Sequence, residues 1–157
     1  MSVDLQNLTD NARKTSVEVL NALVADGIAV SRALKQAHWN VKGPGFIGFH
    51  ELLDQVKARI DDGVDNLAER VQQLDGTAIS TVQKVAEAST LKPYPTNLVK
   101  LDAHAKAVAE ILREYGGKLR EGIETTDEAG DPNSADILTA ASNDVDKDTW
   151  FVSSYLG

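Results

Sequence analysis

Apolar residues recur at three- and four-residue steps over most of the chain, which is the spacing of amphipathic helices. In "TDNARKTSVEVLNALVADGIAVSRALKQAHW", Val17, Leu20, Leu23 or Val24, Ile28, Leu34 and Ala37 fall on one stripe. Thr9 or Asp10 is placed to cap its start. The stripe ends near Asn40, and Gly43, Pro44 and Gly45 break it. A second stripe begins at Phe46 or Ile47 and runs through Leu53, Val56, Ile60, Val64, Leu67, Val71 and Leu74, with Gly76 as a natural stop. "TAISTVQKVAEAST" has room for one or two helical turns, and "LKPYPT" reads as a linker. A third helix is predicted from Asn97 to Gly122, on Leu98, Leu101, Val108, Ile111, Leu112 and Leu119. "ETTDEAGDPNSAD" reads as a polar loop. The last helix runs from Pro132 or Asn133 to Tyr155, with Ile137, Leu138, Ala141, Val145, Trp150 and Phe151 along one side.

No strand-like alternation of useful length appears. Four long helices and one short one predict an all-α four-helix bundle in a single domain, 1–157. The long connection from Gln72 to Thr96 predicts a crossover rather than simple up-and-down order.

Composition narrows the chemistry. Aromatic residues are only 5% of the chain, so the core is mostly aliphatic. The net charge of −8 disfavours nucleic acid, whose phosphates need Lys and Arg, and suits cations. There are no cysteines, so disulfides, thiol catalysis and Cys-ligated zinc or iron–sulfur sites are excluded, and any metal must use nitrogen and oxygen. "MSVDLQNLTDNARKTS" has no apolar run, so no secretory leader is expected. No segment reaches about 20 apolar residues, so no membrane span is expected, and the cytoplasm is the expected location.

Two of the three histidines flank the glycine break in "HWNVKGPGFIGFHELLD". On the second helix, with His50 at zero, Asp54 falls at about 40°, Asp65 at about 60° and Glu69 at about 100°. The four therefore share one side. Asp54 and Asp65 are about 16 Å apart along the axis, too far for one ion. An antiparallel copy of the helix removes the difficulty. A two-fold axis between Arg59 and Ile60 sets His50 opposite Glu69 and Asp54 opposite Asp65 in one register, giving two equal shared sites. His38 is positioned to fold back and complete the shell. A solvated acidic face accounts for the same residues, since 24 of 157 are acids. Imidazole with carboxylates suits iron(II), manganese(II) or zinc(II), and a carboxylate-rich shell favours iron. The Glu-x-x-His motif of sites buried inside one bundle is absent, which favours an interface site. "HELLD" places Asp54 where a zinc protease has its second histidine, which argues against a hydrolase.

"KQAHWNVKGPGFIGFHELLD", "DDGVDNLAERVQQLDG" and "ADILTAASNDVDKDTWF" together resemble the Dps family, the miniferritins of DNA protection during starvation, over nearly the whole chain. The resemblance implies a ferritin-like bundle with a short helix in the central crossover and a homo-dodecamer built from two-fold dimers. It implies iron(II) oxidation, usually by hydrogen peroxide, with storage of ferric mineral. It implies that His38, His50 and Asp54 come from one subunit and Asp65 and Glu69 from its partner, Glu69 being the main anchor and bridge. One or two irons per site are implied, with zinc or manganese as competitors. Trp39 is implied to lie near the site and trap stray oxidising equivalents. Asp127, Asp131 and Asp136 become candidates for lining an iron-entry pore, where a carboxylate ring would draw cations in. Lys42 and Arg70 are read as salt-bridge partners, Asp61 as a non-ligand on the same stripe, and His104 as structural or exposed.

Relatives that condense DNA often carry a lysine-rich tail. Here the segment before the first helix has no Lys or Arg, and neither does "FVSSYLG". DNA binding is therefore expected to be weak or absent at physiological salt. A DNA-compacting cage with secondary ferroxidase activity is the competing reading.

Overall fold

The computed structural model describes residues 7–157. It contains five α-helices: α1 (Asp10–Asn40), α2 (Phe46–Gln73), α3 (Val82–Ala88), α4 (Leu101–Glu128) and α5 (Pro132–Ser153), then a 3-10 turn, Ser154–Leu156. Helices α1, α2, α5 and α4 pack around a ring in that order, and α3 lies on α1 within the crossover. Leu20, Leu34, Phe49, Leu53, Leu67, Leu112, Leu119 and Leu138 form the centre of one continuous core. Its aliphatic character follows from the scarcity of aromatics. The first part of the Lys- and Arg-free N-terminal segment lies outside the described residues.

The helix ends have specific causes. Thr9 caps α1, its hydroxyl accepting from the Ala12 amide at 3.1 Å. Gly45 precedes α2 at φ 81°, a left-handed conformation that glycine takes without Cβ strain. At the end of α2 the left-handed residue is Asp75 (φ 60°), not Gly76. The Gly76 amide reaches the Val71 carbonyl at 2.9 Å and the Asp75 amide reaches Gln72 at 3.1 Å, which is a Schellman closure. Gly76 is there for space, because a Cβ would sit 2.9 Å from Val17 and Val71.

The structure corrects three sequence expectations. Helix α4 begins at Leu101 rather than Asn97 and continues to Glu128, so Glu124, Thr125, Asp127 and Glu128 are helical. That stretch holds no breaker before Gly130, and its acids form the exposed side while Gly122 and Thr126 are buried. On α5 the buried stripe passes through Val145, Asp148 and Val152, which leaves Trp150 66% exposed.

Two polar residues of α1 tie down the crossover. Asn21 donates to the Thr77 carbonyl and accepts from the Ile79 amide. Buried Asp26 accepts from the Ser89 hydroxyl and from the amide and hydroxyl of Thr90. An isolated bridge, Lys42 to Lys100, then fixes the start of α4 beside the α1–α2 loop.

Candidate metal centre

The short loop between α1 and α2 makes the two helices antiparallel neighbours, so His38 near the end of α1 meets His50 near the start of α2. Their rings stack with centroids 3.6 Å apart. Nδ1 of His38 donates to the His50 carbonyl at 2.8 Å, and Nδ1 of His50 donates to the His38 carbonyl at the same distance. A carbonyl only accepts, so in each neutral ring Nδ1 carries the proton and Nε2 keeps its lone pair for a ligand. Fixing a ring through its other nitrogen is the usual way a metal-binding histidine is oriented. His38 is buried and His50 half-buried.

Asp54 lies one turn beyond His50, 3.5 Å from His38 Nδ1. The Lys35 ammonium is 2.5 Å from Asp54 Oδ1. This hydrogen bond holds the carboxyl below the usual carboxylate range, against a smaller opposing effect of desolvation. Lys35 was not singled out from sequence, though a signal exists. In an antiparallel pair that matches His38 with His50, the residue one turn before His38 faces the residue one turn after His50.

Asp65 and Glu69 are exposed on the same helix, about 16 Å and about 22 Å from Asp54 along its axis. The structure therefore brings His38, His50 and Asp54 together and leaves Asp65 and Glu69 apart from them. Among the described residues, no group of three or more His, Asp or Glu side chains converges to hold an ion within one chain. Glu69 instead borders an acidic groove between α2 and α5 with Asp62, Asp136 and Asp144. Asp61 accepts from Ser31 at 2.5 Å and pairs with Lys57, consistent with a non-ligand.

The remaining candidates separate by burial. Trp39 is 64% exposed, with the Arg32 guanidinium over its ring. Asp127 and Asp136 are exposed. Asp131 is not available for a pore lining in this chain. It is fully buried at the N-cap of α5, bonded to Arg70 and Ser134. Arg70 is thus a buried structural partner and not a surface one. His104 is buried, bonded to Tyr94 and to the Leu98 carbonyl.

A family model described as a ferritin-like domain matches residues 17–157. A protein of Agrobacterium fabrum named DNA protection during starvation protein is 45% identical over 150 residues, 96% of this chain and 93% of the relative. The chain belongs to the Dps family. The solved structure of Mycobacterium smegmatis Dps superposes with a TM-score of 0.94 at 27% identity, covering 99% of this chain and 94% of that one. Dps from Microbacterium arborescens, solved in a high iron form, gives 0.87 at 32% identity over 94% and 96%. No helix among the described residues is long and apolar enough to cross a membrane.

Proposed function

We propose that this Dps-family chain oxidises iron(II) at sites shared between two-fold-related copies and stores the ferric product in a closed homo-dodecameric shell. Hydrogen peroxide is the oxidant in this reading, consumed as two iron(II) ions and two protons convert it to two waters. One observation carries the proposal. Four potential ligands on one side of α2 split into two pairs too far apart for one ion, and a single two-fold register brings the pairs together. The orientation of both imidazoles, each with Nδ1 engaged, supports their use as ligands through Nε2. In the shared site His38, His50 and Asp54 face Glu69, the main anchor and bridge, and Asp65, a secondary ligand. Asp127 and Asp136 are retained as pore candidates, Trp39 as a nearby trap for oxidising equivalents, and the cytoplasm as the location. The net charge of −8 favours iron handling over DNA compaction.

Mixing anaerobic protein with iron(II), adding peroxide and following ferric absorbance tests the site. His50→Ala combined with Glu69→Ala is expected to slow oxidation by more than about a hundredfold, beyond the loss caused by removing an outer-shell partner. Equal rates for the variant and the wild type would refute the ligand assignment. A monomer by light scattering would refute the store.

Lys35 makes a separate prediction. Its ammonium stands where a second cation would approach Asp54. Lys35→Met is expected to tighten binding of a redox-inert divalent ion by about two- to fivefold, the scale of an exposed ion pair. Titration calorimetry with zinc(II) measures it, and unchanged or weaker binding would contradict this role for Lys35.

A further inference from the structure

The iron chemistry above leaves a partly buried acid–base pair, Tyr94 and His104, unused. Tyr94, between the two prolines of the linker, and His104, in the first turn of α4, are joined by a 2.8 Å hydrogen bond between the phenol oxygen and Nδ1. His104 is 1% exposed and Tyr94 is half-buried against the core. Nε2 of His104 lies 3.0 Å from the Leu98 carbonyl. That carbonyl only accepts, so Nε2 carries the imidazole proton and Nδ1 accepts from the phenol. Burial lowers the pKa of His104 and raises that of Tyr94, so both groups rest neutral with the proton on oxygen.

This is the arrangement that one-electron oxidation of a phenol requires. Loss of an electron makes the phenol strongly acidic, and away from water the proton needs an acceptor already in contact. Nδ1 is that acceptor. After transfer, both N–H groups of the imidazolium still have partners, the phenoxyl oxygen and the Leu98 carbonyl.

The pair also stands at the same end of the bundle as the candidate metal centre. The Lys42 amide donates to the Val99 carbonyl at 2.9 Å, and the Leu101 amide donates to the Lys42 carbonyl at 3.2 Å. Helix α1 runs into this bridge and α4 leaves it, and the two helices pack together, so they are antiparallel neighbours. His104, four residues after Lys100, is then level with His38, four residues before Lys42. The axes of two helices packed this way are about 8–10 Å apart.

We propose that Tyr94 is a one-electron donor to the iron site and that His104 takes its proton. The inference rests on the peroxide-dependent reading of that site. It lets a site holding a single iron(II) complete the two-electron reduction of peroxide. Iron(II) supplies one electron and Tyr94 the other. The phenol proton passes to His104, two protons from solvent join the peroxide oxygens, and the O–O bond breaks to give two waters. A later iron(II) returns an electron to the phenoxyl, which takes its proton back from His104.

The test uses the assembled protein with one iron(II) per site and excess peroxide, freeze-quenched for electron paramagnetic resonance. The expected signal is a tyrosyl radical that narrows on ring deuteration of tyrosine and disappears in Tyr94→Phe. With two iron(II) per site, Tyr94→Phe is expected to oxidise iron at the wild-type rate. His104→Gln keeps a hydrogen-bond acceptor but no base, and is expected to slow radical formation by about a hundredfold. A radical of undiminished amplitude in Tyr94→Phe, or an indole signal alone in the wild type, overturns the donor role while iron oxidation stays normal. Failure of the wild type to oxidise iron at either stoichiometry overturns the site reading and the donor role with it.

Discussion

Chains carrying His50→Ala and chains carrying Glu69→Ala, co-expressed in equal amounts, are expected to recover iron oxidation that neither variant shows alone. The two-fold register makes the expectation quantitative. In a mixed dimer, one site lacks both His50 and Glu69, because the two damaged chains meet there. The other site takes His50 from the Glu69→Ala chain and Glu69 from the His50→Ala chain, and is complete. Random pairing makes half of the dimers mixed, each with one intact site of two, so activity returns to about a quarter of wild type. Each variant alone is expected to retain less than about one hundredth. A mixture no more active than its components would mean that the ligands act within one chain. The geometry argues against that outcome, because about 16 Å of helix separates Asp54 from Asp65.

The helix pair that carries this site was legible because its signals are local. The glycine break, the histidine on either side of it and the one-turn spacings all lie within α1, α2 and their loop. The stacking of His38 on His50 follows from a turn that brings two antiparallel helices together. What sequence did not reveal depends on residues far apart in the chain. Lys35 meets Asp54 across two helices, and Asp26 holds Ser89 and Thr90 from 63 and 64 positions away. Hydrophobic periodicity is also blind to buried charge. Asp148 occupies the core stripe of α5, paired with Arg59, so the apolar pattern pointed to Trp150 instead. The acids of the α4 C-terminal half look like a loop in the sequence because a polar run carries no apolar period. Their exposed positions alternate with buried Gly122 and Thr126, which is a helical pattern with very small core residues.

Arg70→Met is expected to cost about 3–5 kcal/mol, since it leaves a buried carboxylate without its cation. For a chain of this size that lowers Tm by about 6–20 °C, at a protein concentration held fixed because assembly contributes to stability. Both partners are buried, with Arg70 2.8 Å from Asp131 Oδ1. Ser134 bonds both, donating its hydroxyl to Asp131 Oδ2 and accepting from Arg70 Nε at 3.0 Å. Burial alone would push the Asp131 carboxyl upward, but the Ser134 hydrogen bonds and the Arg70 charge outweigh it and hold the carboxyl below its ordinary range. A depressed folded-state pKa stabilises the fold above the unfolded value, so this contribution is complete above about pH 4 and is lost as pH falls through the folded value. Arg70→Met with Asp131→Leu removes both charges and is expected to regain most of the lost stability, as hydrophobic replacements of buried ion pairs do. A double variant no more stable than Arg70→Met would mean that Asp131 is needed as the cap of α5 rather than as an ion partner. The pair also bears on the metal centre, because Arg70 follows Glu69 directly and fastens the last turns of α2 to the start of α5. Loosening that turn is expected to weaken divalent-ion binding in Arg70→Met below the melting transition, with the double variant intermediate.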